Sequence, residues 1–155
     1  MAHKPPTAVI ESAHRGHALP LDDTTDFDNA DRGFIAALSP CVIKAADGRV
    51  VWDNDAYSFL GGPAPTSVHP SLWRQSTLAA KQGLYEVVPG IYQVRGLDIS
   101  NITFVEGDTG VIVIDPLVST EVAAAATSVD ISGSMTMTPV SPSTKVTFEM
   151  SKPRT

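Results

Sequence analysis

Leu84-Tyr85-Glu86-Val87-Val88-Pro89-Gly90-Ile91-Tyr92-Gln93-Val94-Arg95, continued by the alternating run from Ile99 to Val105 and by Gly107-Asp108-Thr109-Gly110-Val111-Ile112-Val113-Ile114-Asp115, is the stretch that decides the fold. Its runs are short and rich in β-branched and aromatic residues. They are separated by turn chemistry, with Pro89 fixing φ and Gly90 supplying the left-handed position. The pattern predicts a β-meander of four strands over 84–88, 91–95, 99–105 and 111–114. The unbroken Val-Ile-Val-Ile run further predicts that the last strand is covered on both faces.

Downstream, Ser119 is placed to cap a helix beginning Thr120-Glu121-Val122, and the alanines 123–126 have the strongest helix propensity available. Beyond that the composition changes: 12 of the 29 residues in 127–155 are Ser or Thr, and neither a helical nor a strand period is sustained. Upstream, the best helix covers 71–82, with Leu72, Ser76, Ala79 and Ala80 on one face, Pro70 near its first turn and Gly83 past its end. The text from Cys41 to Trp52 reads as a hairpin turned at Asp47-Gly48. Residues 1–33 form a polar arm in which Asp22, Asp23, Asp26, Asp28 and Asp31 surround Phe27. That arm is expected to hold at most one helical turn, capped by Asp28 and ended by Gly33, with Phe34, Ile35 and Leu38 packing on the main body. The organisation expected is an arm over 1–40, a folded part over 41–126 and a disordered or non-native tail over 127–155, in an α/β (α+β) class.

Composition narrows the function. A chain of 155 residues suits one domain, and 11 Lys and Arg against 17 Asp and Glu give a net charge of −6, which repels phosphate backbones and anionic lipid. No nucleic-acid partner is expected. Cys41 is the single cysteine and cannot form an internal disulfide. No stretch approaches the roughly 20 apolar residues of a membrane span, and Met1 to Thr7 does not open a signal peptide. The default expectation is a cytoplasmic location.

Several motifs occur here in one order: Leu19-Pro20-Leu21-Asp22-Asp23, Asp31-Arg32-Gly33-Phe34-Ile35, Ala46-Asp47-Gly48-Arg49-Val50-Val51-Trp52, His69-Pro70-Ser71-Leu72-Trp73-Arg74-Gln75, Gly90-Ile91-Tyr92-Gln93-Val94-Arg95-Gly96, Asn101-Ile102-Thr103-Phe104, and the run from Gly107 to Leu117. In that order they resemble the N-terminal part of the alkyl sulfatases of the metallo-β-lactamase superfamily, over roughly 19–126. The resemblance implies the first half of an αββα sandwich. It also implies a hydrolase that releases sulfate from alkyl sulfate esters such as dodecyl sulfate with two zinc ions, in a homodimer whose dimerisation region lies elsewhere. The family's zinc motif, His-x-His-x-Asp-His, is expected shortly beyond the position of Ala126 and does not occur in this sequence. A zinc site needs three or four His, Asp or Cys ligands, and catalytic zinc brings bound water to a pKa of about 7. The histidines His3, His14, His17 and His69 match none of the family ligands. No zinc is therefore expected on this chain, and no catalytic residue is assigned.

One residue carries over. Asp115 matches the superfamily's first motif, an aspartate ending the strand before the helix, which in the family supports the loop bearing the zinc ligands. Its plainer reading is a cap or backbone contact at the Ser119 helix. Other candidates weigh towards structure. His14 and His17 lack further convergent ligands. The acidic run fails an EF-hand at Ala30 and Ala37, and Asp22 and Asp26 are expected to pair with arginines of the main body. Asn101-Ile102-Thr103 lies in a predicted strand, and Cys41 reads as a small buried hydrophobe. The first reading is thus an alkyl sulfatase fragment from a truncated or frameshifted gene, inactive alone. The alternative is a non-enzymatic binding or regulatory module that pairs with the full-length enzyme through exposed strands. A surfactant-binding surface ranks last, because Arg74 and Arg95 are candidates for the sulfate only by residue type.

Overall fold

A computed structural model describes residues 5–16 and 19–128. The described residues divide into two compact units, one formed by 5–31 with Tyr57–Lys81 and the other by Arg32–Ala56 with 82–128. The fold is α+β.

The first unit holds three helices: α1 (Ala8–Arg15), α2 (Thr25–Asp31) and α3 (Pro70–Ala79). Most of the 3-10 segment Asp55–Gly61 also belongs to it, including the buried Leu60. The arm is therefore more helical than the single turn expected. Thr7 Oγ1 accepts the Ile10 amide at 3.4 Å to start α1, and Glu11 pairs with Arg15 one turn on. Asp23, rather than Asp28, starts α2 by accepting the Thr25 amide at 2.9 Å. This fixes the sign of a pH effect: the hydrogen bonds from Thr25 hold the Asp23 carboxyl below its ordinary value, so its stabilisation is present above the ordinary carboxylate range and fades as the pH falls through the lowered value. The α3 helix is shorter than predicted and rotated from the predicted face, since Leu72 is 60% exposed and Ala79 is exposed as well. Trp73 turns inward instead, its ring 5.9 Å from that of Phe59. The helix is capped by His69, whose Nδ1 accepts the Ser71 amide at 3.3 Å. Of the pairing with arginines expected for Asp22 and Asp26, the one at Asp26 is present, with Arg74 at 2.8 Å, and a pair not anticipated joins Asp31 to Lys81 at 2.6 Å.

The second unit is built on a five-stranded antiparallel sheet. Its strands are β1 (Phe34–Ala36), β4 (Gly83–Val88), β5 (Ile91–Arg95), β6 (Ile102–Gly107) and β7 (Gly110–Ile114), in the order β1-β4-β5-β6-β7. The predicted meander is present, with hairpins at Pro89-Gly90 and Asp108-Thr109. Two details differ. The third strand starts at Ile102, leaving Ile99 88% exposed in the preceding loop. The residues after Gly33 form a true edge strand, with Phe34 opposite Tyr85. A separate hairpin, β2 (Val42–Lys44) with β3 (Val50–Asp53), turns at Asp47-Gly48, where Gly48 has φ +86° and its amide reaches Ala45 at 2.9 Å. α4 (Thr120–Ser128) packs against this hairpin, with Val122 and Ala126 buried.

The core lies on one face of the sheet. Leu84, Val94 and Ile102 stand in one register row, and Tyr92, Phe104 and Val113 in the next. Cys41, Ile43, Leu97, Leu117 and Val122 close over them. The opposite face carries Ile114, Thr103, Gln93 and Tyr85 in one row and Ile112, Val105 and Ile91 in another. Here the prediction of a doubly covered last strand fails: Ile112 is 65% exposed and Ile114 52% exposed. Alternation in a strand sends neighbours to opposite faces, and among the described residues only the face holding Val111 and Val113 is packed against the core.

Candidate functional site

The residue singled out from sequence, Asp115, sits where β7 leaves the sheet. It has φ +58°, the only positive φ of a non-glycine residue in the described structure, and it directly precedes Pro116, which disfavours helical backbone in the residue before it. Such a conformation persists only where the surroundings impose it. Its side chain is exposed. It caps neither the helix nor the turn: Ser119 Oγ accepts the Val122 amide at 3.2 Å and begins α4.

The group that holds the following loop went unnoticed in the sequence. Asp98, between β5 and β6, accepts the Val118 amide at 2.7 Å through Oδ2, while its Oδ1 accepts the Ser100 amide at 2.5 Å and the Ser100 hydroxyl at 3.0 Å. Leu97, 1% exposed, anchors one side of this turn, and Leu117, 8% exposed, anchors the loop it grips. The Asp98-Ile99-Ser100 spacing is the only sequence signal for it, that of an Asx-turn. Glu121, in the first turn of α4, is held below the ordinary glutamate value by backbone hydrogen bonding and by the Ser119 hydroxyl, as suits a carboxylate at a helix start.

The remaining candidates are engaged or lie elsewhere. His14 has its ring 5.2 Å from that of His69 and its Nδ1 3.3 Å from the Thr66 carbonyl; His3 and His17 lie outside the described residues, as does the tail beyond Ser128. A shallow groove of about 210 Å³ beside His14 is lined by Glu11, Arg15, Thr66, Val68 and Pro70. Arg74 donates to Asp26 at 2.8 Å and to the Asp23 carbonyl at 2.6 Å, over the Phe27 ring. Arg95 lies 4.3 Å above the centre of the Tyr85 ring and donates to Gln93 at 2.6 Å. Asn101 is exposed and lies just before β6 rather than within it. Among the described residues no three His, Cys, Asp or Glu side chains are grouped to hold a metal ion.

Cys41 behaves as the sequence suggested. It is 1% exposed, and burial, with Asp55 and Asp53 nearby, pushes its thiol up to about 11. A raised acid pKa favours the protonated native state, so this contribution is intact below the unfolded thiol value and is lost as pH rises towards 11. Alkylation of Cys41 by iodoacetamide at pH 8 should therefore be slower by at least an order of magnitude in the native chain than in urea, as mass spectrometry would show; equal rates would contradict the buried placement.

The chain is 48% identical over 127 residues to a linear primary-alkylsulfatase of Pseudomonas sp. It is 49% identical over 119 residues to an alkyl/aryl-sulfatase of Saccharomyces cerevisiae. Its homologues are alkylsulfatases. An (R)-specific secondary-alkylsulfatase of Pseudomonas sp matches at 46% over 125 residues. The solved structure of a stereoselective inverting sec-alkylsulfatase from Pseudomonas sp. superposes with a TM-score of 0.74 at 46% identity, over 81% of this chain and 20% of that one. No protein-family model matches. The chain spans about a fifth of the length of these alkylsulfatases, covering 19%, 18% and 19% of the three sequences.

Proposed function

We propose that this chain is a scaffold portion of an alkylsulfatase, a hydrolase that splits alkyl sulfate esters of the dodecyl sulfate type into alcohol and sulfate, and that by itself it is inactive. The observation that carries this reading is sequence identity of 46–49% to three alkylsulfatases over more than three-quarters of the chain. The family resemblance adds a metallo-β-lactamase-type site with two zinc ions. The described residues do not fit such a site, since they offer no cluster of ligands, so its metals would be held by parts of the enzyme beyond this stretch. What this stretch contributes is position: β7 brings Asp115 to the end of the sheet, and the core rows beneath hold that end in place.

The test pairs two preparations. The 155-residue chain is expected to release no sulfate from dodecyl sulfate and to take up no stoichiometric zinc by elemental analysis. A chimera in which the chain replaces its counterpart in a homologous alkylsulfatase is expected to do both. Sulfate release by the short chain, or a folded chimera without activity, would overturn the reading.

A second reading is favoured by Ile112 and Ile114, which lie exposed on the open sheet face. Exposed isoleucines at a sheet edge suit pairing with full-length enzyme. Co-purification with full-length enzyme, lost in the Ile112→Lys variant, would support it; no association at micromolar concentration would dismiss it.

A further inference from the structure

We propose that Asp98 is the positioning residue for Asp115: its carboxylate ties the β5–β6 loop to the Val118 amide and so holds the left-handed turn in which Asp115 leaves the sheet. This rests on the reading of Asp115 as support for the hydrolase site.

Three observations converge. First, Asp115 is strained twice over, by its φ of +58° and by the proline that follows, so its direction has to be imposed by neighbours. Second, the chain is fixed just beyond it. Leu117 is buried in the core, the Val118 amide is gripped at 2.7 Å by Asp98, and Ser119 starts α4, so three successive residues are each held by a different element. Third, Asp98 is itself preorganised. Its other oxygen is occupied by both polar hydrogens of Ser100, and Leu97 beside it is buried. A carboxylate with both oxygens committed makes charge-assisted hydrogen bonds of the stronger kind. It also lies at the amino end of α4, where negative charge is favoured.

The division of labour between the two oxygens supplies a selective probe. In Asp98→Asn the amide oxygen can keep the Ser100 turn while its NH2 faces the Val118 amide, donor against donor, so only the grip is lost. Hydrogen exchange and three-bond coupling constants, read by NMR on the full 155-residue chain, separate the outcomes. We expect Asp98→Asn to leave Ser100 protected, to accelerate exchange at Val118 by about ten- to a hundredfold, and to move the Asp115 coupling away from its left-handed value. Ser119→Ala, which removes the neighbouring cap, should fray the start of α4 and leave the Asp115 coupling unchanged. If Asp98→Asn leaves Val118 and Asp115 as they are in the parent chain, the proposal falls. It falls equally if Val94 and Phe104 amides lose protection together with Val118, because Asp98 would then support the fold at large. Zinc uptake and sulfate release are separate signals, so failure of the hydrolase reading leaves this result interpretable.

Discussion

Phe104→Ala is expected to destabilise the chain by about 3–5 kcal/mol, the range for truncating a buried aromatic. Phe104 is 1% exposed and stands between Tyr92 and Val113 in the second core row. Its neighbours lie on paired strands whose hydrogen bonds fix their spacing, so the void left by the ring has little means of closing. Domains of this size are stable by only about 5–15 kcal/mol, so the loss takes a large part of the whole. A urea titration followed by circular dichroism should show the midpoint falling with little change in slope. Phe104→Leu, which keeps most of the volume, should recover a good part of the loss. A midpoint unchanged in Phe104→Ala would mean that this row is not the core.

Gly33→Ala should cost at least ~2 kcal/mol, through a different cause. Gly33 has φ +73°, and a methyl group added there would point straight at the backbone carbonyl of Glu86. That carbonyl cannot retreat freely, because the Glu86 amide donates to the Gly33 carbonyl at 2.7 Å and holds the two backbones together. Gly48→Ala is the matched control. It has φ +86° and open space around the added methyl, so it bears the conformational cost without the collision. Thermal melts of the two variants should separate, with Gly33→Ala the lower. Coincident melts would show that the approach of Gly33 to β4 is looser than described.

Much of the second unit was legible because its signals are local. Pro89-Gly90 and Asp47-Gly48 each define a turn within four residues, and Ser119 begins a helix within three, so spacing alone locates them. β1 has no such signal. Its partner β4 lies some fifty positions away, and three residues are too few to show a period of two. Helix α1 was hidden for a related reason: Val9 and Ile10 remain 76% and 44% exposed, so it has no buried stripe to reveal itself. The run at Ile112 and Ile114 misled in the other direction, since apolar composition reports what a face is able to bury and not whether this stretch of chain supplies the cover. At the candidate site, Asp115 was found through family resemblance. Asp98 was not, because its role depends on a hydrogen bond spanning twenty positions, which no local spacing encodes.

The strand order also bears on how the sheet forms. The joints β4–β5, β5–β6 and β6–β7 each link strands consecutive in sequence, so closing them costs little loop entropy. The β1–β4 joint must instead wait for the intervening hairpin and α3 to be spanned. The meander from Gly83 to Ile114 is therefore expected to form early, with the edge strand joining after it. β1 and β7 stand at opposite edges of the sheet, so a local opening at β1 would expose Phe34 and Ile35 four strands away from the strand that presents Asp115.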